Sequence, residues 1–319
     1  MSESRPGPAD LFEDVRAGGL LAGGQPVIVM LSGGRDSVCL LDLAARIAGP
    51  ECVRALHVNY GLREGADQDE ALCREMCEEM GVALEVVRAG APPEVGNIQA
   101  WARELRYSAA RDLAGATADI ATGHTATDQV ETILYRLAAA PSRRALLGMV
   151  DRSGPLIRPL LPHTREATAA HCRARSLAWR EDPSNDSDRY ARGRVRHDLV
   201  PALRRIHPAA EANVLALAEI LRGEGEVLDE LVDGVLGEAD GVALEVLRGL
   251  PAPLARLVVQ RLADRASGRP APGVSRRLAD ILGLRDTGIA HLDLPSGVRA
   301  TADRGRLTFS ARARLDSAE

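Results

Sequence analysis

The run Val27-Ile-Val-Met-Leu31, followed at once by Ser32-Gly33-Gly34-Arg35-Asp36-Ser37, constrains this chain more than any other stretch. Five apolar residues in a row read as a strand buried on both faces, as in a parallel sheet covered by helices. The glycines let main chain approach an anion closely, and a helix beginning near Asp36 aims unpaired N–H groups and its positive dipole end at the same spot. A phosphate held there is held mostly by backbone, so the first expectation is nucleotide chemistry. Apolar runs and helical periods then alternate, with strands near 27–31, 53–58, 82–87, 118–122 and 155–158 and helices near 37–48, 66–80, 97–114, 126–139 and 164–177. That order predicts a doubly wound, mainly parallel α/β sheet with ligands outside the carboxyl ends of the strands, where Ser32, Asn59 and His124 fall.

The loop lacks the Gly-Lys-Ser/Thr ending of the ordinary phosphate-binding loop and places Asp36 where that loop has its lysine. No lysine occurs anywhere: all 40 residues counted as Lys or Arg are arginine. Mechanisms that need a protein lysine, including Schiff-base chemistry and self-adenylation, are excluded. A Ser-Gly-Gly-x-Asp-Ser turn after a first strand instead resembles the PP-loop ATP pyrophosphatases, which cleave ATP to AMP and pyrophosphate while activating an oxygen of a second substrate.

After Pro201 the pattern changes, and residues 208–284 read as helical with breaks at Gly223-Glu-Gly225, Pro251-Ala-Pro253 and Gly268-Arg-Pro270. The segments around His291–Leu294, Pro295-Ser-Gly297 and Arg306–Phe309 alternate about a turn and predict a closing hairpin. The expected organisation is therefore a catalytic domain over 1–205 and a smaller, mainly helical domain over 206–319.

Charge is uneven. Residues 143–205 hold fourteen Arg against seven Asp and Glu, whereas 211–245 hold one Arg against ten acids, so a basic middle precedes an acidic span. The basic middle suits a polyanion, with exposed helix arginines as the plainer alternative. Aromatics are only 3%, which leaves arginine rather than base stacking as the main means of nucleic-acid contact. The five cysteines, Cys39, Cys52, Cys73, Cys77 and Cys172, include no C-x-x-C pair and indicate neither a disulfide framework nor a zinc site. Met1-Ser-Glu-Ser-Arg-Pro6 opens no apolar run of signal or membrane-span length, and the expectation is a cytoplasmic protein without membrane attachment.

His124, Asp128 and Glu131, at offsets of zero, four and seven, are placed on one helix face. Carboxylates there suit Mg²⁺ beside a nucleotide, or simply complement a helix N-terminus.

Taken with Ser32–Ser37, the segments His57-Val-Asn-Tyr-Gly-Leu-Arg63, Ala102-Arg-Glu-Leu-Arg-Tyr107, Thr122–Thr132, Arg158-Pro-Leu-Leu161 and Glu181-Asp-Pro-Ser-Asn185 stand in the order seen in tRNA(Ile)-lysidine synthases. Over residues 25–200 the chain resembles that family. It departs at Tyr60, Thr127 and Gly193, where the family usually carries His, Asp and Asn. The resemblance implies a two-step reaction on the wobble cytidine of an isoleucine tRNA with a CAU anticodon: ATP adenylates O2 of the base, and free L-lysine then displaces AMP from C2. It further implies nucleotide binding by Ser32, Gly33, Gly34, Arg35, Asp36, Ser37, Asn59 and His124, and Mg²⁺ at Asp36 and Asp128. Asp36, Arg106, Asp128 and Glu131 are the expected catalytic residues. A lysine amine with a pKa of about 10.4 is only roughly 0.1% neutral near physiological pH, so Asp128 or Glu131, or else His124, must help remove a proton. Arg103 and Arg106, three apart on a helix, are placed to clamp phosphate or base. Arg192, Arg194 and Arg196 alternate and, in an extended stretch, point together toward RNA or a closing active site. The resemblance also implies tRNA binding by the 206–319 domain and a homodimer as the assembly. The rival expectations are a PP-loop tRNA thiolase and a catalytically silent nucleotide- or RNA-binding protein.

Overall fold

The computed structural model describes residues 8–62, 65–93, 96–139, 143–180 and 191–312; the Glu181–Asn185 motif, Tyr190 and Arg63 lie outside the described residues. Contacts divide the chain into Met1–Glu219 and Ile220–Glu319.

In the first unit β1 (Val27–Met30) is buried along its whole length, and its side chains split between two layers by the strand period of two. Val27 and Val29 join a core with Leu40, Leu41 and Leu43 of α2 (Arg35–Ala48), whereas Ile28 and Met30 join Tyr107 and Ala110 of α4 (Ile98–Ala114). An apolar run without alternation is what two covered faces require, and the sheet is covered on both. Its order is β3-β2-β1-β4-β6-β5, with β2 (Val53–Asn59), β3 (Ala83–Arg88), β4 (Asp119–Ala121) and β6 (Leu156–Ile157) parallel to β1 and the short edge strand β5 (Arg152–Ser153) antiparallel. The chain runs outward from β1 through α3 (Ala66–Glu79) to β3, then returns through α4 to β4 on the opposite side of β1. Loops after β1 and β4 therefore part at a switch point, the crevice where ligands bind in open α/β sheets. Helices α5 (Ala126–Ala139), α6 (Arg143–Leu146) and α7 (Arg165–Ala174) follow, then α8 (Ala191–Arg194), a π-helical turn over Val195–Leu199, and α9 (Val200–Ile206).

Two expectations change here. The stretch holding Arg192, Arg194 and Arg196 is helical rather than extended, because Val195 and Val200 pack against Val130 and Leu134 of α5 and the helix period supplies that face. The C-terminal region is not simply helical either. Helix α10 (Ala210–Leu236) runs through Gly223 and Gly225 without a break, its buried Val232 and Leu236 outweighing the cost of about 1 kcal/mol that each helical glycine carries.

In the second unit α11 (Leu244–Gly249), α12 (Ala252–Ser267) and α13 (Leu278–Leu282) accompany a four-stranded antiparallel sheet, order β7-β10-β9-β8. The expected hairpin is part of that larger sheet: β8 (Ile289–Leu294) pairs with β9 (Val298–Asp303), and β10 (Arg306–Ala311) pairs with both β9 and β7 (Gly241–Ala243). Val298, Ala300, Ala302 and Leu307 bury the inner face against Val258, Val259 and Leu262 of α12. Among the described residues no helix is long and apolar enough to cross a membrane.

Candidate active site

A cavity of about 1010 Å³ opens at the carboxyl ends of β1, β2 and β4 and takes its wall from α2, α4, α5 and α7. Gly33 adopts φ +81°, a conformation side chains resist, and Gly34 is the N-cap of α2 with extended backbone. Ser37 tightens the turn: its Oγ receives the Ser32 N–H at 3.1 Å and its hydroxyl donates to the Gly34 carbonyl at 2.7 Å. From the other side of the switch point Gly123 presses on the same helix start. A Cβ added to Gly123 would stand 2.9 Å from the Asp36 carbonyl carbon and oxygen, so only glycine fits.

Asp36 and Asp128 face one another across this crevice. Thr168 of α7 donates its hydroxyl to Asp36 Oδ1, and Arg35 reaches the same oxygen at 3.2 Å. Asp128 Oδ2 accepts the Thr125 N–H and hydroxyl, each at 2.9 Å. The remaining oxygens meet one guanidinium: Arg165 Nε lies 3.5 Å from Asp36 Oδ2, and its Nη2 lies 3.2 Å from Asp128 Oδ1. Burial works to raise the Asp128 carboxyl, but Arg165, the Thr125 N–H and Arg192 outweigh it and hold the group below the usual carboxylate range. Two carboxylates turned toward one positive charge form a donor set that fits a divalent cation, whose further ligands would be phosphate oxygens and water.

Glu131 does something else. It is fully buried and turned away from the cavity wall, where Arg196 forks onto it at 2.6 and 3.0 Å and Arg192 approaches at 3.4 Å. Arg196 thus faces inward, Arg192 one helical turn away reaches Glu131 from the surface, and Arg194 lies beside Tyr135 and Val195 in a separate shallow groove. His124 sits in the turn before α5 rather than on the helix, its Nδ1 2.8 Å from the Thr122 hydroxyl. Burial, with Arg158, Arg192 and Arg106 nearby, pushes its pKa down to about 4, so the ring is neutral at physiological pH.

Asn59 lines the cavity, but its side chain is already engaged: Nδ2 donates to Asp67 and Glu70, both at 3.0 Å, and Oδ1 accepts the Gly61 N–H. Arg106 reaches the cavity from α4, its Nε buried without a hydrogen-bond partner among the described residues. Arg103 is exposed and stacks 4.5 Å over the Tyr107 ring.

Residues 11–203 match the PP-loop domain family. The chain is 36% identical to the tRNA(Ile)-lysidine synthase of Salinispora tropica over 302 residues, which are 89% of this chain and 90% of that protein. The chain belongs to the tRNA(Ile)-lysidine synthase family. The Thermus thermophilus member is also 36% identical over 90% of this chain, which spans 57% of that longer protein. In fold the chain is similar to the U34-tRNA thiolase NcsA from Methanococcus maripaludis with its [4Fe-4S] cluster, at TM-score 0.56 and 18% identity over 67% of this chain and 78% of that one.

Membership gives the family motifs a spatial meaning: Ser32–Ser37, Asn59, Arg106, His124 and Asp128 converge on one cavity. The cysteines do not. Cys39, Cys73, Cys77 and Cys172 are buried, and burial pushes the Cys73 and Cys77 thiols up to about 12 and about 11. Among the described residues no three of His, Cys, Asp and Glu are grouped to hold a metal. Sequence reasoning missed the contribution of α7, which supplies Arg165 and Thr168, and of Arg180, whose N–H donates to the Gly33 carbonyl at 3.0 Å while its guanidinium reaches Asp69 at 2.9 Å. The arginine-rich run over 143–205 was the signal for both, read there as a surface rather than as part of the nucleotide site.

Proposed function

We propose that this chain ligates free L-lysine to C2 of the wobble cytidine of an isoleucine tRNA, consuming ATP and releasing AMP and pyrophosphate. The observation that carries the reading is the meeting of the Ser32–Ser37 loop, Asp36, Asp128 and Arg106 in one cavity of a lysidine synthase family member. In the first step cytidine O2 attacks the α-phosphorus of ATP and the bond to pyrophosphate breaks. The start of α2 and the Gly33–Gly34 main chain bind phosphate, and Arg35, Arg165 and Arg173 line the cavity to neutralise it. Asp36 and Asp128 are the residues to hold Mg²⁺, which when bound supplies charge neutralisation at the phosphates.

In the second step the lysine amine attacks C2, the C2–O2 bond breaks, and AMP leaves with the oxygen. Asp128 lines the cavity, and after pyrophosphate has left its Oδ1 holds the ammonium and accepts its proton directly or through water. Glu131 acts at one remove by fixing Arg196 and Arg192 over Asp128, which makes Arg192 and Arg196 closing elements of the site. Arg103 and Arg106 flank the base. The region 206–319 and the surface bearing Arg194 are assigned to tRNA, and a homodimer is the proposed assembly.

The deciding experiment is transfer of labelled lysine to an isoleucine tRNA transcript with wobble cytidine, following AMP and pyrophosphate. Lysine incorporation with equal AMP formation is expected. AMP without lysine incorporation would redirect the second step to another nucleophile, and absence of ATP turnover would overturn the reading.

A further inference from the structure

Helix α7 begins behind Thr164, whose hydroxyl accepts the Ala167 N–H, and its first turn presents Arg165 and Thr168 to the carboxylates of the site. Each carboxylate is divided in the same manner. One oxygen is committed to local donors: Asp36 Oδ1 to Thr168 and Arg35, Asp128 Oδ2 to Thr125. The other faces Arg165, at 3.5 Å for Asp36 and 3.2 Å for Asp128. Arg192 and Arg196 stand farther from Asp128 Oδ1, at 3.8 and 3.7 Å, and are tied to Glu131. The two oxygens that would be left to hold a divalent cation are thus the two that face Arg165.

Arg165 holds the two unequally. Its Nη2 donates a hydrogen bond to Asp128 Oδ1, whereas its Nε, buried without a hydrogen-bond partner among the described residues, meets Asp36 Oδ2 only as an ion pair, and its side chain is 26% exposed on the cavity wall. Two carboxylates facing each other without a cation repel, and one guanidinium relieves that repulsion without filling either coordination sphere. A guanidinium also pairs with phosphate through the same forked donors, and the nucleotide phosphates belong in the same cavity.

Resting on the proposed metal and nucleotide sites, we propose that Arg165 is a stand-in cation. It occupies the divalent-cation position while the site is free of nucleotide and moves onto the phosphates when metal and ATP enter together. Metal alone must compete with Arg165, whereas metal with nucleotide gives Arg165 another anion, so each ligand raises the affinity of the other.

The test is Mn²⁺ binding, followed by the paramagnetic resonance signal of free Mn²⁺, with and without a non-hydrolysable ATP analogue. The native chain is expected to bind Mn²⁺ weakly alone and at least about tenfold more tightly with the analogue. Arg165→Met is expected to bind Mn²⁺ alone about tenfold more tightly than the native chain and to lose most of the enhancement by analogue. Arg165→Lys keeps the charge and is expected to behave as the native chain does. If Arg165→Met, shown folded by its melting transition, gains no affinity for Mn²⁺ alone, the stand-in role is overturned while the metal site stands. If Arg165→Lys gains as much as Arg165→Met, competition by charge is overturned. If neither the native chain nor Arg165→Met binds Mn²⁺ even with the analogue, the inference falls with the metal site, and lysine transfer still tests the reaction separately.

Discussion

Gly123 shows how much of the site rests on single atoms. The turn after β4 and the start of α2 approach so closely that a methyl group at Gly123 would meet the Asp36 main chain at 2.9 Å and the Ser37 nitrogen at 3.1 Å, and backbone cannot rotate away as a side chain can. Gly123→Ala is therefore expected to shift the nucleotide loop rather than unfold the sheet, costing about 1–3 kcal/mol of stability and at least about tenfold in ATP affinity. Calorimetric titration with ATP beside a thermal melt checks this, and native affinity in the variant would show that the loop tolerates the displacement.

Among the elements, the pairing of α5 with the helical turns of 191–199 is held by a buried acid and two arginines. Breaking such a pair on one side leaves a buried charge uncompensated, which costs about 3–5 kcal/mol, whereas replacing both partners with apolar groups of similar size can be nearly neutral. Glu131→Gln is expected to loosen the turns bearing Arg192 and Arg196, seen as faster hydrogen exchange over 191–199, with slowed lysine transfer. Glu131→Met combined with Arg196→Met should recover stability but not transfer. Equal exchange in Glu131→Gln and the native chain would remove Glu131 from this positioning role. This element also marks where the sequence was misread. Alternation of arginines at 192, 194 and 196 imitates a strand, yet two positions four apart also share a helix face, and only the apolar residues Val195 and Val200 select the helix. By contrast β1 and α2 were legible because an unbroken apolar run next to two glycines admits few alternatives. The C-terminal sheet was not: β8 is half exposed and β7 has three residues, too short to display a period.

For the whole molecule, the charge asymmetry along the chain predicts how it meets tRNA. If the arginine-rich 143–205 region carries the phosphate contacts, affinity for tRNA should fall linearly with salt on logarithmic axes, by about one power of ten in affinity per tenfold in salt for each phosphate neutralised. Fluorescence titration at several salt concentrations measures the slope, and a flat response would assign recognition to uncharged contacts. The inward turn of Arg196 and the pairing of Arg192 with Glu131 lower the number available, so the slope should reflect fewer phosphates than the sequence count of arginines suggests.

Beyond its neighbour Arg35, the partners of Asp36 lie far along the chain, Thr168 at a separation of 132 residues, and the buried His171–Asp42 contact that clasps α7 to α2 spans 129. During synthesis the glycine loop emerges long before the helix that completes it. A nascent chain stopped ahead of α7 would show a glycine turn and a carboxylate with Arg35 alone beside it, lacking Thr168 and Arg165, and would bind ATP poorly. Competence for adenylation is thus a late event in the chain's own growth, timed by the arrival of α7.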